Sequence, residues 1–477
     1  MPLSSGQLVK TAGVWTNLLM RLVSLALLVH TACSFSAQPY CTPVARAPTG
    51  RRHHGAPRLT HAAATERRPR RGGAGGTAAL LRLAAFEPKA YEAEDIQVRR
   101  HIGDLGFVEV VDWEYYGAPR NPLDPSTPTR SVEAKGTGAR LFEGRLRSGE
   151  RVLLKEHLPA ARELGLNEMK MLKRLKVAYA NRVAAGGEGA DALAARGLPV
   201  ANLLGFLLAD ESFQDRRFIE GWLTKMGTVD VPKPGNLWLV YQYEPSTTFN
   251  SFPEAKQVGE VFDLVSAEYK FRRRWRFVRQ ALRSSLGALA FAHGAGVIHR
   301  SLGAASLRLT VADDRYDKQL EVKLADFGFA QQFSGVDRDL IQRAKRYGCQ
   351  DPADVVNFVT GEDLYALGYA FLELALGTLS VKTGEGPPPA RDLTTLKRLV
   401  EDVYGGDLRG GFREYAAEEP AWAPAVALLD QDDGAGWEAA EYLVGFFRRA
   451  EAAGGRVGRG AFLSAEAMLG HRLFQGK

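Results

Sequence analysis

Side chains able to do chemistry fall in five places along the 477-residue chain. Gly136-Thr137-Gly138 is a glycine pair of the kind that lets backbone approach a phosphate with no Cβ in the way, and it reads equally as an ordinary turn. Lys155 ends a strand-like run and Glu168 lies in a helix-spaced one, so a cation and a carboxylate sit on neighbouring elements; each also reads as a solvated surface residue. The stretch 297–309 (VIHRSLGAASLRL) carries His299, Arg300, Ser301 and Ser306. The hydroxyl of Ser301 is neutral and cannot act as a base near neutral pH, where an ionised carboxylate can. Asp326-Phe327-Gly328 supplies one carboxylate for a cation. Asp363 opens the almost wholly apolar run 364–377, and a carboxylate buried in such a helix is expensive unless it finds partners. Cys and His form no cluster with metal-ligand spacing.

These groups need a frame. Residues 141–155 predict two strands around the turn Arg147-Ser148-Gly149-Glu150, and 160–176 has the spacing of a helix, with Leu164, Met169, Leu172 and Leu175 on or near one face. Residues 200–209 and 237–243 are apolar and β-prone; 277–294 and 364–377 then read as long helices, and helical material continues to the end. Strands followed by helices predict a segregated α+β fold. Two insertions interrupt it, the Gly/Ala-rich 184–197 and 210–236 with Pro232 and Pro234. The charges of 337–346 are most simply a solvated helix face, and 462–474 predicts a final helix in which His471 packs or faces solvent.

Composition excludes other classes. No apolar run reaches the roughly 18 residues of a spanning helix. The net charge is +7, but residues 1–72 hold ten Lys/Arg and one acid; without them 52 basic residues face 54 acidic ones, a net of −2. A near-neutral body has no general field for nucleic acid, so none is expected as a partner. Cys33 and Cys41 lie in the leader and Cys349 alone remains, so a body starting after residue 72 has no intrachain disulfide. Lys10 and Arg21 precede the apolar residues 22–29 and the small residues Ala32-Cys33-Ser34, the shape of a signal peptide over 1–34. Phe35 follows, and 35–90 begins with a basic, Ala/Pro/Gly-rich segment of transit-peptide character. This leader resembles the bipartite presequence of algae with secondary plastids, which implies a plastid location.

Taken in order, 297–309, KLADFGFA (323–330) and DLYALGYAFLELALG (363–377) resemble the eukaryotic-type protein kinases. The resemblance covers residues 101–475 and implies a bilobal protein-kinase-like fold, with a small β-rich N-lobe over about 101–244 and a large helical C-lobe over about 245–475. It implies ATP and Mg2+ as cofactors. Lys155 matches the lysine that bridges nucleotide phosphates, Glu168 its helix partner (Glu163 is the alternative), and Gly136 and Gly138 the phosphate-covering loop. Tyr241 takes the gatekeeper position, with Tyr243 following at the cofactor-binding edge. Asp326 is the principal metal carboxylate, with Ser306 at the second metal position. His299, Arg300, Phe327, Gly328 and Asp363 are implied structural residues, and Leu172 joins His299 and Phe327 in an apolar stack.

The catalytic loop departs from the family. Where it reads His-Arg-Asp-Leu-Lys-x-x-Asn, this chain has Ser301, Gly303 and Ser306 at the three chemically active positions. Loss of a general base alone lowers rate by about 10²–10⁴-fold. Asp313 and Asp314 are nearby acids, expected to be exposed in the following turn. Leu153 above the adenine and Arg308 beneath it argue against a flat apolar pocket. No Ala-Pro-Glu precedes Asp363, and Ser334 and Tyr347 are the only hydroxyl side chains in 329–355. The reading is a pseudokinase acting on protein partners as a binding or regulatory module. An active divergent Ser/Thr kinase is the alternative, and small-molecule phosphotransferases of this fold also need an acid in that loop.

Overall fold

A computed structural model describes residues 86–105, 138–244, 247–253, 264–336, 338–349, 351–381, 393–448 and 464–475. The chain divides into the units Met1–Arg71 and Gly72–Lys477, and every described residue belongs to the second. The leader and Gly136 lie outside the described residues.

The structure mixes a six-stranded sheet, built before residue 243, with predominantly helical material after it. The strands are β1 (Lys89–Ala90), β2 (Ile96–Leu105), β3 (Ala139–Leu146), β4 (Arg151–His157), β5 (Leu203–Leu208) and β6 (Leu237–Gln242), in the order β1-β5-β6-β4-β3-β2. β1 runs parallel to β5, and the other pairs are antiparallel. β3 and β4 form the expected hairpin. Gly149 takes the left-handed turn position at φ +87°, and the Leu146 N–H donates to the Glu150 carbonyl at 2.9 Å. Helix α1 (Arg162–Ala185) follows β4 and outruns its expected end at 176.

One insertion is filled in and one expectation is corrected. The Gly/Ala-rich 184–197 is helical: α1 ends at Gly186 and Gly187, both with positive φ, and α2 (Glu188–Arg196) runs to Gly197. The folded body also starts well before residue 101, so the stretch 35–90 is not all leader. Glu87 pairs with Lys173 of α1, the Lys176 ammonium lies 3.7 Å over the Phe86 ring, and β1 and β2 occupy the two edges of the sheet. The composition of 35–90 hid this, because two strand residues leave no periodicity to read.

Alternation along β4 sorts the sheet's faces, as a period of two requires. Val152 and Leu154 point to one face, and Leu153 and Lys155 to the other. The first face is covered by the insertion 210–236. Its helix α3 (Arg216–Met226), capped by the Asp215 carboxylate on the Arg217 N–H at 2.7 Å, buries Trp222 and Met226. The Trp222 ring meets Trp238 edge-on at 6.4 Å and Phe142 at 5.4 Å. Burying an aromatic of this size contributes about 1.5–3 kcal/mol, so this insertion is part of the core.

The rest is carried by α4 (Leu264–Gly294), the short strands β7 (Val297–Ile298), β8 (Leu307–Leu309), β9 (Val322–Leu324) and β10 (Gln331–Gln332), then α5 (Arg338–Arg346) and α6 (Pro352–Thr378). α6 is apolar all round and buried, as expected for a helix without a polar face. Gly361 faces the Phe446 ring, and Gly368 lies against Leu443 and Val444. α5 is only partly solvated: Leu340 and Ala344 are buried, and the Arg343 guanidinium donates to Glu362 of α6 at 2.8 Å. The expected C-terminal helix is two short turns, Ala465–Met468 and Arg472–Phe474; His471 packs between them. Among the described residues no helix is long and apolar enough to cross a membrane.

Candidate functional site

The second face of the sheet brings Lys155 to the elements that follow it. The Lys155 ammonium, 1% exposed, donates to Glu168 Oε2 and to Asp326 Oδ1, both at 2.7 Å. Burial works against its charge, but Asp326 and Glu168 together hold its pKa above the ordinary lysine value. Burial also opposes the charge on Asp326, yet Lys155 and then Arg308 keep its carboxyl below the ordinary carboxylate value. Glu168 is the helix partner, and Glu163 is exposed. Its other oxygen accepts from the Tyr241 hydroxyl at 2.7 Å, and burial and Glu168 push that phenol well above its usual pKa. His157 Nε2 lies 3.7 Å from Glu168 Oε2; burial, with the Lys155 charge, pulls its imidazole down to about 4. These contacts of Tyr241 and His157 carried no sequence signal beyond the alternation of β4 and β6.

α1 is also joined to the segment after Asp326. Asn167 donates to the carbonyls of Gly328 and Ala330 at 2.8 and 2.9 Å. A Cβ at Gly328 would lie 3.3 Å from the Leu164 Cβ, a tight contact. Phe327 is fully buried with its ring 4.7 Å from that of His299, and Leu172 lies in the same core. Asp326 itself has left-handed backbone, φ +65°.

Asp363 gathers the loop before β8. Its Oδ2 accepts from the His299 N–H at 2.8 Å and from His293 Nε2 at 2.9 Å, and its Oδ1 from the Arg300 N–H at 2.8 Å. Burial opposes the charge on Asp363, but the hydrogen bond from His293 helps hold its carboxyl below the ordinary value. Arg300 is held at φ +63°, a costly conformation for a side chain with a Cβ. His293 lies 70 positions from Asp363, so only the fold could have revealed it.

The loop residues Ser301, Gly303 and Ser306 are placed plainly. The Ser301 hydroxyl donates to the Asp326 carbonyl at 3.2 Å. A Cβ at Gly303 would meet open space. The Ser306 hydroxyl is taken up locally, accepting from the Gly303 N–H at 3.0 Å and donating to the Gly303 carbonyl at 2.9 Å. Neither nearby acid reaches the loop. Asp314, expected to be exposed, is 6% exposed and bonded to Arg273 and Arg274 at 2.9 and 2.7 Å, while Asp313 pairs with Arg315. The sequence could not supply this correction, because the arginines lie some 40 positions upstream on α4.

At the outer end, Gly138 accepts from the Leu158 N–H at 3.1 Å, and the Tyr243 ring lies 3.9 Å under the Arg151 guanidinium. Leu153 is 2% exposed and registered opposite Tyr241. Arg308 lies on β8 across from Lys323, whose ammonium pairs with Glu244. The Arg308 Nε is buried without a hydrogen-bond partner, and its charge acts on both Asp326 and the Tyr241 hydroxyl.

No protein-family model matches the chain. A stretch of 122 residues, 25% of the chain, is 28% identical to the cell division control protein 7 of Schizosaccharomyces pombe, and it spans only 10% of that protein.

Proposed function

We propose that this chain is a plastid-imported protein of protein-kinase fold, bilobal and catalytically impaired, that serves as a binding or regulatory module for protein partners. The observation that carries the reading is the loop at Ser301. The atom at the position of the base is a neutral hydroxyl donating to a backbone carbonyl, and the nearest acids in sequence are committed to arginines, Asp314 to Arg273 and Arg274 of α4 and Asp313 to Arg315. The likeness to the fission-yeast protein supports the kinase-fold part. The network of Asp363, His293, Asn167 and Phe327 supports an ordered fold, which either reading requires.

The residues present do not fit a magnesium ion. Asp326 is engaged by Lys155, and the Ser306 hydroxyl is closed onto Gly303, so the pair offers no two free oxygen ligands. Apolar faces for an adenine are also poorly supplied, with Leu153 packed into the core and Arg308 charged.

The second reading, an active divergent Ser/Thr kinase, is favoured by the Lys155–Glu168–Asp326 geometry. Phosphotransfer by the full chain, compared with its Lys155→Met/Asp326→Ala double variant, separates the two. Equal, background-level transfer is expected; transfer well above the double variant sinks the module reading. Residues 1–72 fused to a fluorescent reporter test the location, and secretion of the reporter would refute plastid import.

A further inference from the structure

Near Asp326 lies a cation that the module reading leaves without work. Arg308 sits on β8, fixed on one side by its register with Lys323 and on the other by a bridge to Thr248. Its Nε is buried with no acceptor. A buried guanidinium N–H is a strong donor, and leaving it unpaired is costly, so the position calls for an acceptor that is not part of the described protein. Neither nearby carboxylate accepts from it: Glu168 is bonded on both oxygens, Asp326 Oδ1 is held by Lys155, and no hydrogen bond joins the Arg308 Nε to Asp326 Oδ2. Asp326 keeps about 20% of its side chain exposed and Arg308 is half-buried, so solvent reaches this spot.

Arg308 thus acts on the partly exposed Asp326, with the Lys155 ammonium buried behind that carboxylate, and the engaged Asp326 Oδ1 and the Ser306 hydroxyl closed onto Gly303 make a poor seat for a divalent ion. In a site that uses a metal, the ion neutralises the phosphate chain. Here the Arg308 guanidinium supplies a positive charge that acts on the same carboxylate, and its planar fork matches phosphate oxygens in pairs. We propose that Arg308, with Lys155 behind it, forms a phosphate-chain site that works without a divalent cation. The ligand class is a polyphosphate anion, either inorganic or the chain of a nucleotide. This rests on the module reading, since a metal-free site with no base is built for binding and not for transfer.

The prediction runs opposite to that for an ordinary kinase. Mg2+ in solution chelates polyphosphate, lowers its charge and finds no seat in the cleft, so it should weaken binding. The test is thermal denaturation of the full chain with ATP, inorganic tripolyphosphate or adenosine, each in EDTA and in excess Mg2+. Tripolyphosphate and ATP should both raise Tm in EDTA and raise it less in Mg2+. Equal effects identify the phosphate chain alone as ligand; a larger effect of ATP identifies a nucleotide. Stabilisation only with Mg2+, stabilisation by adenosine but not tripolyphosphate, or none by any of the three overturns the proposal. Arg308→Leu should weaken tripolyphosphate binding about tenfold or more, and Arg308→Lys should retain most of it. Unchanged binding by Arg308→Leu is also fatal. If that variant does not fold, the salt dependence of the native protein decides, because affinity between charged partners must fall as ionic strength rises. Phosphotransfer measured on the same samples keeps the two readings apart. Transfer above background defeats the module reading, whereas silence together with no effect in EDTA defeats only the Arg308 site.

Discussion

Replacing Asp363 by Asn tests how the loop is held. The carboxylate takes three hydrogen bonds between 2.8 and 2.9 Å, two on Oδ2 and one on Oδ1, at a position 1% exposed. An amide has one acceptor oxygen. Its best orientation puts the carbonyl toward His299 and His293, which turns the NH2 against the Arg300 N–H. One charge-assisted bond is lost and one buried donor is left unpaired, together about 2–4 kcal/mol. Arg300 is then released from its left-handed backbone, so the damage should concentrate in the loop. Urea unfolding followed by the fluorescence of the buried Trp238, Trp275, Trp422 and Trp437 reads the loss. The pH profile adds a second signature. The folded chain holds this carboxyl below its ordinary 3.8, so its contribution is complete above that value and disappears as the pH falls below it. Asp363→Asn should lose stability at neutral pH and show a flatter acid limb. A loss under about 1 kcal/mol, or an unchanged acid limb, would refute the account of Asp363 as the acceptor that organises the loop.

Other perturbations have equally definite outcomes. Gly361→Ala would drive a Cβ into the Phe446 ring from inside a packed helix, and the expected loss is about 1–3 kcal/mol by thermal or urea unfolding. Gly303→Lys meets open space and should change stability by no more than about 0.5 kcal/mol, so Ser301→Asp/Gly303→Lys/Ser306→Asn can be assayed for restored phosphotransfer without a folding artefact from that position. His157, fully buried and held near 4 when folded, is protonated more readily in the unfolded chain. Its contribution is complete above 6.5 and falls by about 3 kcal/mol as the pH drops from 6.5 to 4; His157→Phe should flatten that part of the stability profile.

What the sequence reveals about this molecule follows the range of its interactions. The hairpin at Gly149, the strand positions of Lys155 and Tyr241 and the buried character of α6 rest on local periodicity and turn chemistry, and they are found where expected. Glu168 is distinguished from Glu163 by a helical face that the pattern of Leu172 and Leu175 already marks. The insertion 210–236 is marked in the sequence by its prolines, and within it Phe218, Trp222 and Met226 recur every four residues, the apolar stripe of the helix found there. The burial of Asp314, the His293 bond to Asp363 and the orphaned Arg308 Nε depend on groups brought together from distant parts of the chain. No spacing rule reaches them.

The strand pair Lys89–Ala90 and Gly205–Phe206 has a consequence for any shortening of the chain from its N-terminal side. The Lys89 carbonyl lies so close over Gly205 that any side chain there would collide with it, and Tyr91 donates its N–H to the Phe206 carbonyl at 2.8 Å. A protease that trimmed the chain past Ala90 would therefore strip the cover from β5 and expose an apolar strand edge to pairing with another molecule. A cut upstream of Phe86 would spare these contacts, and a cut a few residues later would yield a protein prone to associate through the edge it has lost.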